Sequence, residues 1–429
     1  MELVNREERQ RGLRETESES ICEVGGWLRF SLSSALEYFS PFAARVAASQ
    51  DSNRIKFVLG ETASPSVPLT IAECDDAQFE YLCRDTCQKN ANDLHLLVPN
   101  LRSLRSSCGL DNLSPLLAIQ LTYFPLGHGF SIGLAYHRVV SDQRTFNYFM
   151  HSWASLCKHG ELPPGLEPTF DRAVVLDPNG LEPILLNRFW ESVPGSIIPA
   201  PATMCLGLVR STFVMGPADI AKAQQWILAE CERKNRPYPV LLSPYVVTCA
   251  FIWACLVRAQ SEGLAQTRIP KGPMYFGFIA GGITRLRYRV PGNYFGNCVA
   301  FGRAIAQREE LLGNDGVLVA ADAIGQAIKK LNRDVLDEAG NWISDWEPIV
   351  GSDLHVNMVG SPKVDLYEVD FGWGKPKKIE ENSIDVMRGI SLTESREVKG
   401  GIEIGMALPK STMDAFSCLF TRGLLDFSF

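Results

Sequence analysis

Three side chains in the stretch AYHRVVSDQRTFNYF (135–149) have chemistry that a pocket can use. His137 titrates near neutral pH and can take up or give back a proton, although a lone histidine more often serves structure or surface. Arg138 carries a planar guanidinium that forks two hydrogen bonds onto a carboxylate and cannot act as a base. Asp142 stands just before a helical run, where an aspartate commonly caps the first turn. A second cluster lies in VDFGWGKPKK (369–378), with Asp370, Phe371, Gly372, Trp373 and Gly374 in a row. Two glycines around a tryptophan suit a tight turn that buries the ring, a bracing role. They do not make a phosphate loop, because no strand–glycine loop–helix pattern surrounds them. In VPGNYFGNCV (290–299), a turn running into a strand, Tyr294 and Asn297 can reach a pocket, although a core strand is the plainer reading. His95, His128, His151, His159 and His355 share no metal-ligand spacing and read as structural. Ser352 has no Gly-x-Ser-x-Gly setting for a nucleophile. No metal site and no cofactor fingerprint is expected.

The elements that must position these groups follow from periodicity. Residues 115–140 predict two apolar strands joined by the turn Pro125–Gly129, so His137 and Arg138 sit where a strand runs into a turn. The helix after Asp142 carries Phe146, Phe149, Met150 and Trp153 on one face. The stretch 31–46 predicts a helix ending in a turn near Ser40–Phe42, because Pro41 interrupts it. A polar, Pro-rich region from about 160 to 204 reads as a long connection between two halves. Beyond it come a strand near 206–214, a charged helix over 217–234 and a helix over 243–259 that is apolar on nearly every face and therefore buried. An amphipathic helix at 316–331 and a last helix at 411–425 complete an α/β chain with two mixed halves. The expected layout is a charged tail (1–20), an N-terminal domain (21–165), a crossover loop (166–205) and a C-terminal domain (206–429).

Composition narrows the function classes. The 429 residues are 46% hydrophobic and 21% charged, which suits a soluble globular chain of two domains. A net charge of −7 with scattered Lys and Arg argues against a nucleic-acid partner. No apolar run approaches the roughly 20 residues of a membrane span, and the N-terminus lacks the apolar core of a secretory signal. Twelve cysteines form no Cys-x-x-Cys pair, so reduced thiols in the cytoplasm are the expectation. A small-molecule substrate is the remaining class of partner.

The order SPFAARV, HRVVSD, SPYVVTCAFIWACLV, PGNYFGNCV, VDFGWGKPKK and ISLTESREVKGGIEIGMALPK resembles the BAHD acyltransferases of plants over residues 28–425. It looks most like the clade that malonylates flavonoid and phenolic glucosides. The resemblance implies a monomer of two chloramphenicol-acetyltransferase-like domains with a solvent tunnel between them. Coenzyme A thioester would enter one mouth and the acceptor the other. It implies a His-x-x-x-Asp motif, whose histidine takes the acceptor proton, and an aspartate that pairs with an arginine. By position these are residue 138, Asp142 and Arg285. It further implies that Asp370–Gly374 braces the fold away from the tunnel.

The sequence departs from the family where the chemistry lies. Counting back four from Asp142 reaches Arg138, and the neighbouring His137 should face the other way along a strand. A side chain with a pKa above about 12 accepts no proton at neutral pH. Loss of a positioned base costs roughly 10²–10⁴-fold in rate. The charged tail also stands where the family has its first strand and Pro-rich lead. The leading expectation is a repurposed enzyme that needs no cofactor. In it Arg138 holds the carboxylate of an already malonylated substrate, and malonate leaves during elimination, rearrangement or cyclisation. The alternatives are a CoA-dependent O-acyltransferase that uses malonyl-CoA or another acyl-CoA with His137 as base, and a catalytically inactive member.

Overall fold

The computed structural model describes residues 17–48, 55–59, 66–74, 76–84, 88–101, 114–125, 129–192, 207–262, 271–347, 353–361, 363 and 365–427. The first helix, α1 (Glu17–Tyr38), starts inside the stretch expected to be a charged tail and well before the expected residue 31. Its stripe of Val24, Leu28, Leu32 and Ala35, all buried, explains the extension, because the helical spacing of apolar residues begins upstream of the segment that looked helical. The tail before Glu17 lies outside the described residues. A 3-10 turn, Ser40–Ala43, with Pro41 in its first turn, ends the helix and buries Phe42.

The N-terminal part then supplies strands β1 (Arg45–Ala48), β2 (Ile55–Val58), β3 (Leu69–Glu73), β4 (Lys89–Asn90), β5 (Ser114–Pro115), β6 (Leu117–Phe124) and β7 (Gly129–Tyr136). β1 pairs with β2 and β5, whereas β3, β6 and β7 form a separate three-stranded sheet. The antiparallel β6/β7 register runs from Phe124 opposite Gly129 to Leu117 opposite Tyr136. The centre of the expected turn between them, residues 126–128 including His128, lies outside the described residues. Helix α2 (Gln143–His159) buries Phe146, Phe149, Met150 and Trp153 against α1, and the Trp153 indole N–H donates to Ser31 Oγ at 3.1 Å.

The expected crossover loop is not structureless. It holds a 3-10 turn, Arg172–Val174, and a helix, Leu181–Ser192, with Pro183 in its first turn, where a missing N–H costs little. Residues 193–206 lie outside the described set. Beyond them come β8 (Leu208–Met215), α3 (Pro217–Arg233), α4 (Pro244–Ser261), β9 (Pro273–Gly281), β10 (Val299–Gln307), α5 (Gly316–Arg333), β11 (His355–Gly360), β12 (Gly389–Glu394), β13 (Ile402–Pro409) and α6 (Lys410–Asp426). The large sheet has the order β10-β9-β11-β12-β13-β8-β4, with β11 parallel to both neighbours and the other pairs antiparallel. The architecture is mixed α/β. α4 is buried almost all round, capped by Ser243 Oγ, which accepts from Val246 N at 3.3 Å. One core gathers α3–α6 and the large sheet, and a second gathers α1, α2, β6 and the turn at Phe371. β4 comes from the N-terminal part but closes the edge of the large sheet. Among the described residues no helix is long and apolar enough to cross a membrane.

Candidate functional site

The site grows out of the end of β7. Tyr136 is its last strand residue, and its ring stacks on Phe146 of α2 with centroids 4.2 Å apart and planes 8° from parallel. His137 still donates its backbone N–H to Leu116 O at 2.9 Å, and its carbonyl then accepts from Val140 N at 3.0 Å. The chain thus leaves the sheet and turns over residues 137–140. His137 is buried, 5% exposed. Arg138 leans back over the Tyr136 ring, its guanidinium carbon 5.1 Å from the centroid. It donates to Tyr136 Oη at 2.7 Å and to Gln143 Oε1 at 3.2 Å. Its side chain remains 47% exposed, and Glu381 Oε1 lies 3.9 Å from one of its terminal nitrogens. Burial pushes the Tyr136 phenol far above its usual range, against the pull of the Arg138 charge, so it stays protonated.

Two residues fix this turn. Asp142 is buried and caps α2, its Oδ1 accepting from Thr145 N at 2.8 Å and its Oδ2 from Cys298 N at 3.0 Å. Burial, with the Asp142 charge beside it, holds the Cys298 thiol above its usual range. Asn297, on the exposed side of the same loop, donates from Nδ2 to the carbonyls of Arg138 (2.9 Å) and Val139 (3.3 Å). The pairing of Asp142 with Arg285 does not form. Arg285 donates to Asn332 Oδ1 at 2.8 Å and Gly281 O at 2.7 Å, and both Asp142 oxygens are engaged by backbone N–H groups that a cap and an adjacent loop already supply. Tyr294 turns inward: it is 4% exposed, and its hydroxyl accepts from Arg172 at 2.8 Å, so it ties the crossover to the C-terminal part instead of lining a pocket.

Asp370, Phe371, Gly372, Trp373 and Gly374 lie together at a turn against α2. Asp370 Oδ1 accepts from Gly372 N at 2.8 Å and Gly374 N at 3.0 Å, and its Oδ2 meets Lys158 at 2.5 Å. Burial alone would raise its pKa, but Lys158 and the two backbone N–H groups outweigh it and lower the value. Both glycines have positive φ, 110° and 107°, where other residues are strained. Phe371 packs edge-on against Trp153 at 4.8 Å and Trp373 against Phe130 at 5.5 Å.

Glu381 was not visible as a site residue, because nothing in its local pattern, KKIEENS, points to Arg138. What places it is a buried ionic network. Arg210 of β8 meets Glu380 at 3.0 Å and Asp385 at 2.9 Å, Lys89 of β4 meets Glu380 at 3.0 Å, and His95 Nε2 meets Asp385 at 2.9 Å. Arg210 also donates to the Glu381 carbonyl, and Asn382 donates to Leu94 O at 2.9 Å. Segment 380–385 is thereby held against the N-terminal part, with Glu381 turned toward Arg138.

Comparison with known proteins agrees with this architecture. The Transferase family model matches residues 15–421. Phenolic glucoside malonyltransferase 1 of Nicotiana tabacum is 34% identical over 413 residues, spanning 92% of this chain and 86% of the relative. Coumaroyl-CoA:anthocyanidin 3-O-glucoside-6''-O-coumaroyltransferase 2 of Arabidopsis thaliana is 33% identical, spanning 94% and 86%. Among solved structures, vinorine synthase superposes with a TM-score of 0.62 at 17% identity, over 92% of this chain and 84% of that one. F. graminearum TRI101, in complex with coenzyme A and deoxynivalenol, also gives 0.62, at 14% identity over 93% and 90%. The two-part mixed α/β fold is that of the chloramphenicol-acetyltransferase-like proteins, and the chain belongs to the Transferase family, the BAHD acyltransferases.

Proposed function

We propose that the protein transfers an acyl group from malonyl-CoA or another acyl-CoA to a hydroxyl of a small acceptor such as a phenolic glucoside, acting as a cytoplasmic monomer with substrates meeting in a cleft between its two parts. The observation that carries this reading is the turn 137–140. Asn297 donates to two of its carbonyls, Asp142 caps the helix that follows it, and it presents residue 138 half-exposed and facing Glu381. A preorganised cation there suits the negative charge that develops on the thioester carbonyl during attack. The acceptor oxygen bonds to the acyl carbon, the carbon–sulfur bond breaks, and the hydroxyl proton passes in the end to the departing thiolate. By resemblance Arg138 replaces the family's proton-accepting histidine. His137 can serve as base only if the turn opens, because its ring is buried. Incubation with malonyl-CoA and a panel of phenolic glucosides, read by mass spectrometry, tests the reading. A protein that binds coenzyme A in calorimetry yet yields no acylated product would overturn it. His137→Ala working at the parent rate would take the imidazole out of the chemistry.

The exposed guanidinium also favours a second reading, in which Arg138 forks onto the carboxylate of a malonylated substrate and malonate leaves in an elimination, rearrangement or cyclisation. Here Glu381, 3.9 Å away, competes with the substrate anion for Arg138. Release of malonate from malonylated glucosides without coenzyme A, lost in Arg138→Ala, is its signature. Equal release by the variant would remove it.

A further inference from the structure

We propose that Glu381 is the proton acceptor of acyl transfer, an inference that rests on the acyltransferase reading above. Arg138 and Glu381 are 3.9 Å apart, too far for a direct hydrogen bond but within the span that one intervening oxygen can bridge. Both side chains are partly open to solvent, 47% and 32% exposed. An acceptor hydroxyl lodged between them donates to the carboxylate, while the guanidinium stands ready beside the thioester oxygen. The other candidates in and beside the turn fail on their surroundings. His137 is buried, Arg138 is a permanent cation, and the Tyr136 phenol is held protonated by burial.

The carboxylate is also aimed. Ser383 Oγ donates to Glu381 Oε1 at 2.5 Å, and the Glu381 backbone is pinned by Arg210, whose side chain is 2% exposed. A general base needs this fixed reach more than it needs a particular residue type. The step balances as follows. The hydroxyl proton moves to Glu381 as its oxygen bonds to the acyl carbon. The carbonyl oxygen takes up negative charge beside Arg138. The tetrahedral species collapses, the carbon–sulfur bond breaks, and the proton returns from Glu381 to the coenzyme A thiolate. No oxidant or further reactant is required.

The test uses the full chain with malonyl-CoA and 4-nitrophenyl β-glucoside. Glu381→Gln keeps an oxygen for Ser383 and is expected to lower kcat roughly 10²–10⁴-fold with the KM for malonyl-CoA little changed. Glu381→Ala opens a small space beside Arg138, and added formate is expected to restore part of its rate by supplying the missing carboxylate. Parent-like turnover by Glu381→Gln overturns the role of Glu381 and leaves the acyltransferase reading standing. A loss that formate does not relieve likewise overturns it, since damage to the fold would not respond to a small carboxylate. Absence of transfer by the parent protein to 4-nitrophenyl β-glucoside and to every other glucoside of the panel, with coenzyme A bound, overturns the acyltransferase reading and Glu381 with it.

Discussion

Asp370 and Lys158 show how a single ion pair braces this molecule, and their behaviour with pH is calculable in sign. The folded state lowers the Asp370 pKa, so the folded chain binds that proton less readily than the unfolded one. Its stabilisation is therefore complete above the ordinary carboxylate range near about 4 and is lost as pH falls through the lowered folded value. Lys158→Met is expected to shrink this contribution, giving a shallower loss of stability between about pH 5 and pH 3 in urea titrations. An unchanged acid slope would contradict it. The five residues Asp370–Gly374 were legible because they are contiguous and their turn chemistry is local. Arg138 drew notice in the sequence only as a departure from a spaced motif. Glu381, proposed above as the proton acceptor, drew none, because its place beside Arg138 depends on a residue far along the chain.

Among the elements, β7 is tightly constrained at Gly133. A Cβ at Gly133 would run into the Leu97 carbonyl, since the chain just after His95 crosses that strand at backbone distance. Gly133→Ala is expected to destabilise by about 1–3 kcal/mol, because a backbone atom cannot yield as a side chain can. Chemical denaturation checks this, and a neutral result would mean that the crossing is loose. Element types were largely readable from periodicity: the helix after Asp142, the buried α4 and the last helix all stand within a few residues of expectation. The failures have identifiable causes. α1 begins early because its apolar stripe already starts at Val24, behind a polar first turn that looks like a tail, and the crossover hides the helix Leu181–Ser192 behind prolines that usually mark loops. The Asp142–Arg285 pairing failed because a helix cap and a neighbouring N–H satisfy the carboxylate first.

Across the whole molecule, the network of Lys89, Glu380, Arg210, Asp385 and His95 joins the N-terminal part to the large sheet. The Asp385 side chain is fully buried and Arg210 is 2% exposed, so neither can be released to water by a small adjustment. Arg210→Met leaves buried Asp385 with His95 alone and Glu380 with Lys89 alone, and is expected to cost about 3–5 kcal/mol, read as a lowered urea midpoint. A variant as stable as the parent would show that the charges are not coupled. The same alteration removes the bond that pins the Glu381 backbone, so turnover should fall even at temperatures where the variant remains folded.

The seating of β4 against β8 has a consequence for how the chain can be divided. Those two residues, Lys89 and Asn90, occupy the outer rim of a sheet that otherwise belongs to the chain beyond residue 206. A fragment beginning at β8 would present that rim bare, with unpaired backbone donors and acceptors inviting a neighbouring copy to dock as the missing strand. Expressed alone, the second part should therefore self-associate, and supplying the first part in trans should disperse it.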